Sequence, residues 1–320
     1  MTFKRPLTAL AALAALAGAY SLSGASSGTG LFGASGLDPV APAFAGTAKT
    51  ETQAPTAAID TVIARREEEL GARIGVQVRE REGGFNYAHA ADDRFPMAST
   101  FKALLCGAVL ARVDAGEEDL SRRITYKAAD LVAYSPATEK HVKDGMTIGK
   151  LCEAAVTLSD NTAANLLLES VGGPQGLTAF LRWSGDSTTR LDRTEPDLNE
   201  ALPGDPRDTT TPAAMSETID RLVFGDVLMT RSRAQLRQWM IEDKVADALI
   251  RSKLPKGWTI GDKTGAGARG TRGITAFLIA PDGRTFLATI YLTENEADLK
   301  QRNQVIADIS EAIFGVIAEK

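Results

Sequence analysis

The chain has 320 residues, of which 44% are hydrophobic and 24% charged. That is the make-up of an ordinary water-soluble globular protein, long enough for one large domain or two intimate ones. A formal net charge of −5 argues against nucleic-acid binding or a polybasic membrane role, and the two histidines, His89 and His141, stand in no metal-ligand spacing, so no metal is expected.

Residues 1–45 have the pattern of an export signal. Lys4 and Arg5 form a short basic start, and residues 7–17 are an apolar run too short to span a bilayer. Ala43-Phe44-Ala45 fits an A-x-A cleavage site that would leave Gly46 as the new N-terminus; a cut near Ala25 is the alternative. This segment holds no cysteine, which excludes a lipid-anchored form, and no later apolar run is long enough for a membrane helix. The expectation is an exported protein, periplasmic or secreted, with no membrane anchor.

Ile59, Val62, Ile63 and Leu70 recur at helical spacing. Residues 73–79 alternate like a strand, and Glu82-Gly83-Gly84 reads as a turn. From Ser99 the period becomes helical, with Leu105, Val109 and Val113 spaced by four and Gly116 as a cap. Leu151, Ala155 and Leu158 mark a second helix that delivers Ser159 at its end. A third runs from Asn165 to Val171 and stops at Gly172-Gly173-Pro174. Residues 186–212 hold Pro196, Pro203, Pro206 and Pro212, which denies a long helix or strand and predicts a structured surface loop. The period then returns to two. Residues 258–263, 274–280 and 285–292 read as strands, the last two around the hairpin signal Pro281-Asp282-Gly283. Val305, Ile309, Ile313 and Ile317 mark a closing helix. Helix and strand at both ends flank a helical middle. The fold class is therefore α/β in the α+β sense: a sheet domain assembled from residues 46–95 and 240–320, with an all-helical domain, 96–239, inserted. Cys106 and Cys152 are the only cysteines, an even count that suggests a disulfide in an exported chain; two buried free thiols are the alternative.

Four short motifs carry chemistry. Ser99-Thr100-Phe101-Lys102 places a hydroxyl and an amine on one helical face, and a serine hydroxyl needs a neighbouring base to become a nucleophile. A helix start also offers free N–H groups to an oxyanion. Ser159-Asp160-Asn161 and Lys263-Thr264-Gly265 follow, and Glu195-Pro196-Asp197-Leu198-Asn199 lies between them. A carboxylate such as Glu195 can activate water against a serine ester, and the amide of Asn199 can help fix that water. S-x-x-K, S-D-N and K-T-G in this order are the signature of class A β-lactamases and penicillin-binding proteins. With the Glu195 motif, residues 50–320 resemble the class A serine β-lactamases.

The resemblance implies a five-stranded antiparallel sheet with helices and a cleft between two parts. It makes Ser99 the nucleophile, Lys102 a candidate base, Glu195 the base for deacylation, and Ser159 the proton donor to the departing nitrogen. It puts the oxyanion hole at the N–H groups of Ser99 and Ala266. Lys263, Thr264, Gly265 and Arg272 would form a cationic wall for the substrate carboxylate, Asn303 would contact Arg272, and Asn161 would bind the side-chain amide. Tyr134 would stand at the cleft mouth and Asp160 would be structural. Arg193 and Asp208 would pair at the neck of the Glu195 loop, and Cys106 and Cys152 would bridge two helices. No cofactor is implied. The partner is a small β-lactam, and the chain would be a monomer. Ala98 and Gly267 are not cysteines, so the extra bridge of some carbapenem-hydrolysing members is absent. A penicillin-binding carboxypeptidase or transpeptidase, and a non-hydrolysing β-lactam sensor, are the alternatives; the Glu195 loop counts against both.

Overall fold

Helix α1 (Ala57–Leu70) opens the fold and ends at Gly71, whose left-handed φ of 59° a residue without a Cβ adopts at little cost. The computed structural model describes residues 56–318; the export segment lies outside the described residues. Strands β1 (Arg73–Glu80) and β2 (Asn86–His89) pair antiparallel, with Val76 opposite His89. The chain then leaves the sheet through β3 (Phe95–Pro96), makes a 3-10 turn at Ala98–Thr100, and enters α2 (Phe101–Asp114). Short β4 (Arg123–Ile124) and β5 (Met146–Thr147) pair ahead of α3 (Ile148–Thr157), α4 (Asn161–Val171) and α5 (Gly173–Trp183). The proline-rich loop follows and closes at β6 (Thr209–Thr210), which pairs with β3. Helices α6 (Pro212–Val223) and α7 (Thr230–Ile241) lead back to β7 (Thr259–Ala266), β8 (Arg272–Ile279) and β9 (Thr285–Thr293), and α8 (Leu299–Ile317) completes the fold.

The sheet has five strands in the order β2-β1-β9-β8-β7, all antiparallel neighbours. The strands from both ends of the chain therefore meet in one sheet, as expected. Their side chains alternate between two buried apolar clusters, as the period of two requires. On β8 and β9, Ile274, Ala276, Leu278, Ala288 and Ile290 pack toward α1 and α8, while Phe277, Leu287 and Tyr291 join the cluster built from α2 to α7. Helix α2 is buried from Phe101 through Ala111. Each large apolar side chain there contributes roughly 1.5–3 kcal/mol, so the helix is held firmly where it carries Lys102 into the interior.

Three helices escape the sequence reading. At Gly172-Gly173-Pro174 the stop of α4 is also the start of α5, because Pro174 sits in the first turn, where its missing N–H costs nothing. Pro212 does the same for α6 behind Thr211, whose side chain accepts from Ala214 N. Helix α7 is largely polar, with Ser232, Leu236, Trp239 and Met240 its buried residues, so its period is faint.

Candidate active site

Ser99 sits in the 3-10 turn, with Ala98 before it at a φ of 42°. The turn is tied from several sides. Met97 N donates to Asp208 O at 3.0 Å. Thr100 Oγ1 donates to Met97 O at 2.8 Å and lies 2.8 Å from the buried Tyr291 hydroxyl. Lys102, one turn on, is fully buried. Its Nζ donates to Ser159 O at 2.8 Å and Asn161 Oδ1 at 2.6 Å, and stands 3.0 Å from Glu195 Oε1; Ser159 Oγ is at 3.5 Å. An ammonium has three protons to give, and three close acceptors surround it. Burial pushes the Lys102 pKa down, and the Glu195 carboxylate opposes that shift.

Glu195 approaches from the proline-rich loop and is 2% exposed. Its Oε1 accepts from Ser99 Oγ at 3.3 Å, and its Oε2 accepts from Asn199 Nδ2 at 2.5 Å. The Glu195–Pro196 peptide is cis. Asn165 of α4 grips the backbone of Glu195 twice: Glu195 N donates to Asn165 Oδ1, and Asn165 Nδ2 donates to Glu195 O, both at 2.9 Å. The sequence places Asn165 on a helix and nothing there singles it out, since Asn161, Thr162 and Glu169 share its face. At the loop neck Arg193 Nε donates to Asp208 Oδ2 at 2.6 Å, while the N–H groups of Asp192 and Arg193 donate to Asp208 Oδ1 at 2.7 and 2.9 Å. The expected pair is present.

The opposite wall begins at Ser159, whose φ of 59° turns the chain between α3 and α4. Asp160 accepts from Ala137 N, Thr138 N and Ala163 N at 2.8–2.9 Å, which fixes the start of α4. Asn161 has both ends of its amide engaged: Oδ1 accepts a hydrogen bond from Lys102 Nζ, and Nδ2 donates to Ala133 O at 2.8 Å.

Strand β7 forms the third wall. A Cβ on Gly265 would lie 2.7 Å from Met97 O and 3.0 Å from Ser99 N, so glycine is what lets the strand pass so near the nucleophile. This brings the end of β7, with Ala266, beside the start of the Ser99 turn. Lys263 is fully buried and donates to Thr264 O at 3.0 Å; burial pushes its pKa down to about 8, against the pull of Asp243. Arg272 donates to Gly265 O at 3.1 Å and to Asn303 Oδ1 at 2.8 Å; burial lowers its pKa to about 10.

A cavity of about 310 Å³ joins Ser99, Tyr134, Ser159, Asn161, Asn199, Thr264, Gly265, Ala266 and Arg272. Val245 and Leu299 also line it, and nothing in their sequence context marks them. Tyr134 is 59% exposed at the mouth. Asn199 Oδ1 is buried without a protein partner. Buried amide oxygens rarely stay unpaired, so the cavity presents an acceptor to whatever fills it. Lys102, Glu195 and Lys263 lie beneath and behind this lining. The cysteines are elsewhere, in the helical core. Cys106 and Cys152, the pair expected to bridge two helices, are buried side by side as free thiols across α2 and α3.

The model of the β-lactamase enzyme family matches residues 54–317. Among solved structures, the putative class A β-lactamase PenP from Rhodopseudomonas palustris is 54% identical, with a TM-score of 0.79, covering 82% of this chain and 100% of that one. An ancestral (GNCA) class A β-lactamase is 55% identical with a TM-score of 0.78, covering 80% of this chain and 98% of its own. The class A β-lactamase of the last common ancestor of Gram-negative bacteria (GNCA4) is 54% identical with a TM-score of 0.79, over 82% and 100%. With a hydroxyl, a buried ammonium and a clamped carboxylate meeting at one cavity, and relatives this near over almost the whole of the described chain, the protein belongs to class A of the β-lactamase enzyme family.

Proposed function

We propose that the protein hydrolyses the β-lactam amide of penicillins and cephalosporins through an ester on Ser99, and so confers resistance to them. The observation that carries this is the single hydrogen bond from Ser99 Oγ to Glu195 Oε1, made by a carboxylate that Lys102 and Asn199 hold from two other sides. Ser99 Oγ attacks the lactam carbonyl carbon and gives its proton to Glu195, whose charge Lys102 steadies. The carbonyl oxygen becomes an oxyanion that the N–H groups of Ser99 and Ala266 would receive. The C–N bond breaks, and the nitrogen takes a proton from Ser159, which Lys102 resupplies. Glu195 passes the Ser99 proton on to the Lys102 amine, 3.0 Å away, and the ionised carboxylate then takes a proton from water. The hydroxide adds to the ester carbonyl, Ser99 Oγ leaves and recovers a proton, and a ring-opened acid departs.

Lys263, Thr264, Gly265 and Arg272 serve the substrate carboxylate, Asn161 and Asn199 its side-chain amide, and Tyr134 its approach. A penicillin-binding transpeptidase needs its acyl-ester to outlast water; a carboxylate set against the same hydroxyl works the other way. The experiment is hydrolysis of a chromogenic cephalosporin by the mature protein. Turnover that vanishes in Ser99→Ala supports the reading, and an intact drug or a permanently blocked enzyme overturns it.

The N-terminal pattern supports cleavage of a signal peptide (residues 1–45) and a periplasmic or secreted destination, and no described helix is long and apolar enough to cross a membrane. In an oxidising compartment Cys106 and Cys152 would lose two protons and two electrons to the local oxidant and form one disulfide, which their contact across α2 and α3 favours. The same reading takes residues 46–95 and 240–320 as one domain, 96–239 as the other, and the protein as a monomer.

A further inference from the structure

Behind Lys263 lie two buried carboxyl groups that the catalytic sequence does not use. Asp243 follows α7 and is 4% exposed; Asp262 precedes Lys263 on β7 and is 0% exposed. Their four oxygens divide into two that are satisfied and two that are not. Asp262 Oδ2 accepts from Arg251 Nε at 2.8 Å, and Asp243 Oδ1 accepts from Val245 N at 2.7 Å. Asp262 Oδ1 and Asp243 Oδ2 are buried and have no donor. Yet the two carboxyls are within hydrogen-bonding reach of one another. Two carboxylates in contact cannot bond, since both are acceptors, and in a dry site they cannot both ionise cheaply. A single proton resolves both orphans at once.

We propose that Asp243 and Asp262 share one proton between Asp243 Oδ2 and Asp262 Oδ1, and that this acid pair sets the charge on Lys263. Every charged group facing the pair fits that assignment. Arg251 comes from the 3-10 turn at Ile250–Lys253, Lys263 from β7 and Arg272 from β8, while Lys102 of α2 acts on the set only through Lys263. Arg302 and Tyr134 reach the set only through Arg272. Burial, and then Asp243, push the Asp262 carboxyl up to about 8, where Lys263 also titrates. As the pH rises, the shared proton leaves and a second negative charge develops beside Lys263. That charge keeps the lysine protonated where it would otherwise become neutral. The pair thus acts as a positioning group, holding the cationic wall in its charged form into the alkaline range. This consequence rests on Lys263 binding the substrate carboxylate; the shared proton itself does not.

Infrared difference spectra at pH 6 test the proton directly. Wild type minus Asp262→Asn, and wild type minus Asp243→Asn, should each contain a protonated carboxylic C=O band that fades as the pH passes about 8. Difference spectra with carboxylate bands alone would overturn the shared proton. Should either variant fail to fold, carbon NMR of aspartate-labelled wild type reads the same proton: two carboxyl resonances should titrate together, and two that stay ionised at pH 6 would refute it. The second arm is the pH profile of KM for benzylpenicillin. In Asp262→Asn the pair carries one fixed charge, so the alkaline rise in KM should begin lower by roughly one pH unit, with kcat less affected. An unmoved limb would overturn the coupling. Absence of all benzylpenicillin turnover in wild type would sink the functional reading, while the infrared band still decides the proton.

Discussion

Lys102 Nζ stands 3.0 Å from Glu195 Oε1, and neither side chain is exposed to solvent. Removing one of two buried opposite charges typically costs about 3–5 kcal/mol, because the survivor stays buried and unpaired. The carboxylate can therefore be tested cleanly only by a substitution that keeps its shape. Glu195→Gln removes the carboxylate that keeps the buried Lys102 charged, so the neutral amine can take the Ser99 proton in its place; the variant should acylate more slowly and then stall. Intact-mass measurement should find one drug per enzyme, held through many expected turnovers, with the steady-state rate down about 10²- to 10⁴-fold. Prompt return to the free mass would remove Glu195 from deacylation.

Gly265→Ala should fail at the other step. The added Cβ would meet Met97 O at 2.7 Å and Ser99 N at 3.0 Å, so β7 must move away from the nucleophile's turn. Ala266 moves with it. Loss of one oxyanion donor typically costs about 10²- to 10³-fold in rate. Stopped-flow acylation should slow by that order with no ester accumulating, the reverse of the Glu195 variant.

Asp208→Ala should loosen the loop. The side chain is 1% exposed and accepts from Arg193 Nε, Arg193 N and Asp192 N. Arg193 keeps its pair with Glu200, so the loss should sit near about 3 kcal/mol. Thermal melting measures this, and limited proteolysis should cut first within residues 186–212. An unchanged melting point would show the neck to be dispensable.

Stability should also carry the sign of Asp262. Its carboxyl titrates at about 8 in the folded chain, against about 3.9 unfolded, so the native state holds a proton that the unfolded state has released. Between those values the native state binds more protons, and stability must fall as pH rises. Above about 8 both states are ionised and the slope ends. The melting point of wild type relative to Asp262→Asn should decline from pH 4 to pH 8 and then level. A flat difference would contradict this.

Burial raises the Cys152 thiol well above its usual range, so the folded reduced protein should react slowly with thiol reagents. Material recovered from an oxidising compartment should show no free thiol even when unfolded. Closing a loop of 46 residues should stabilise it by about 4 kcal/mol over the reduced form. Two titratable thiols in unfolded exported protein would refute the bridge.

Much of this site was legible because its chemistry resides in contiguous motifs. Ser99 and Lys102 share a turn of chain, as do Glu195 and Asn199, and the spacing announces them. The sheet was legible because Phe277, Leu278 and their neighbours form a short apolar run of strand length that ends at a turn signal, as a strand buried on both faces does. What escaped lacks a local signal. Asn165 acts on a residue 30 positions away, and Val245 and Leu299 reach the cavity only through the closure of the fold. Helices α5 and α6 were hidden because Pro174 and Pro212, which break a helix from within, are well placed in its first turn.

Asn161 and Asn165 lie four positions apart on α4, one bonded to Lys102 and the other to the main chain of Glu195. The repeat of a single rigid helix therefore gauges the gap between the amine and the acid, and the loop that carries the acid does not. Residues on either side of Glu195 can change in size and sequence, and with them the range of drugs admitted, while the distance on which hydrolysis depends stays calibrated from outside the loop.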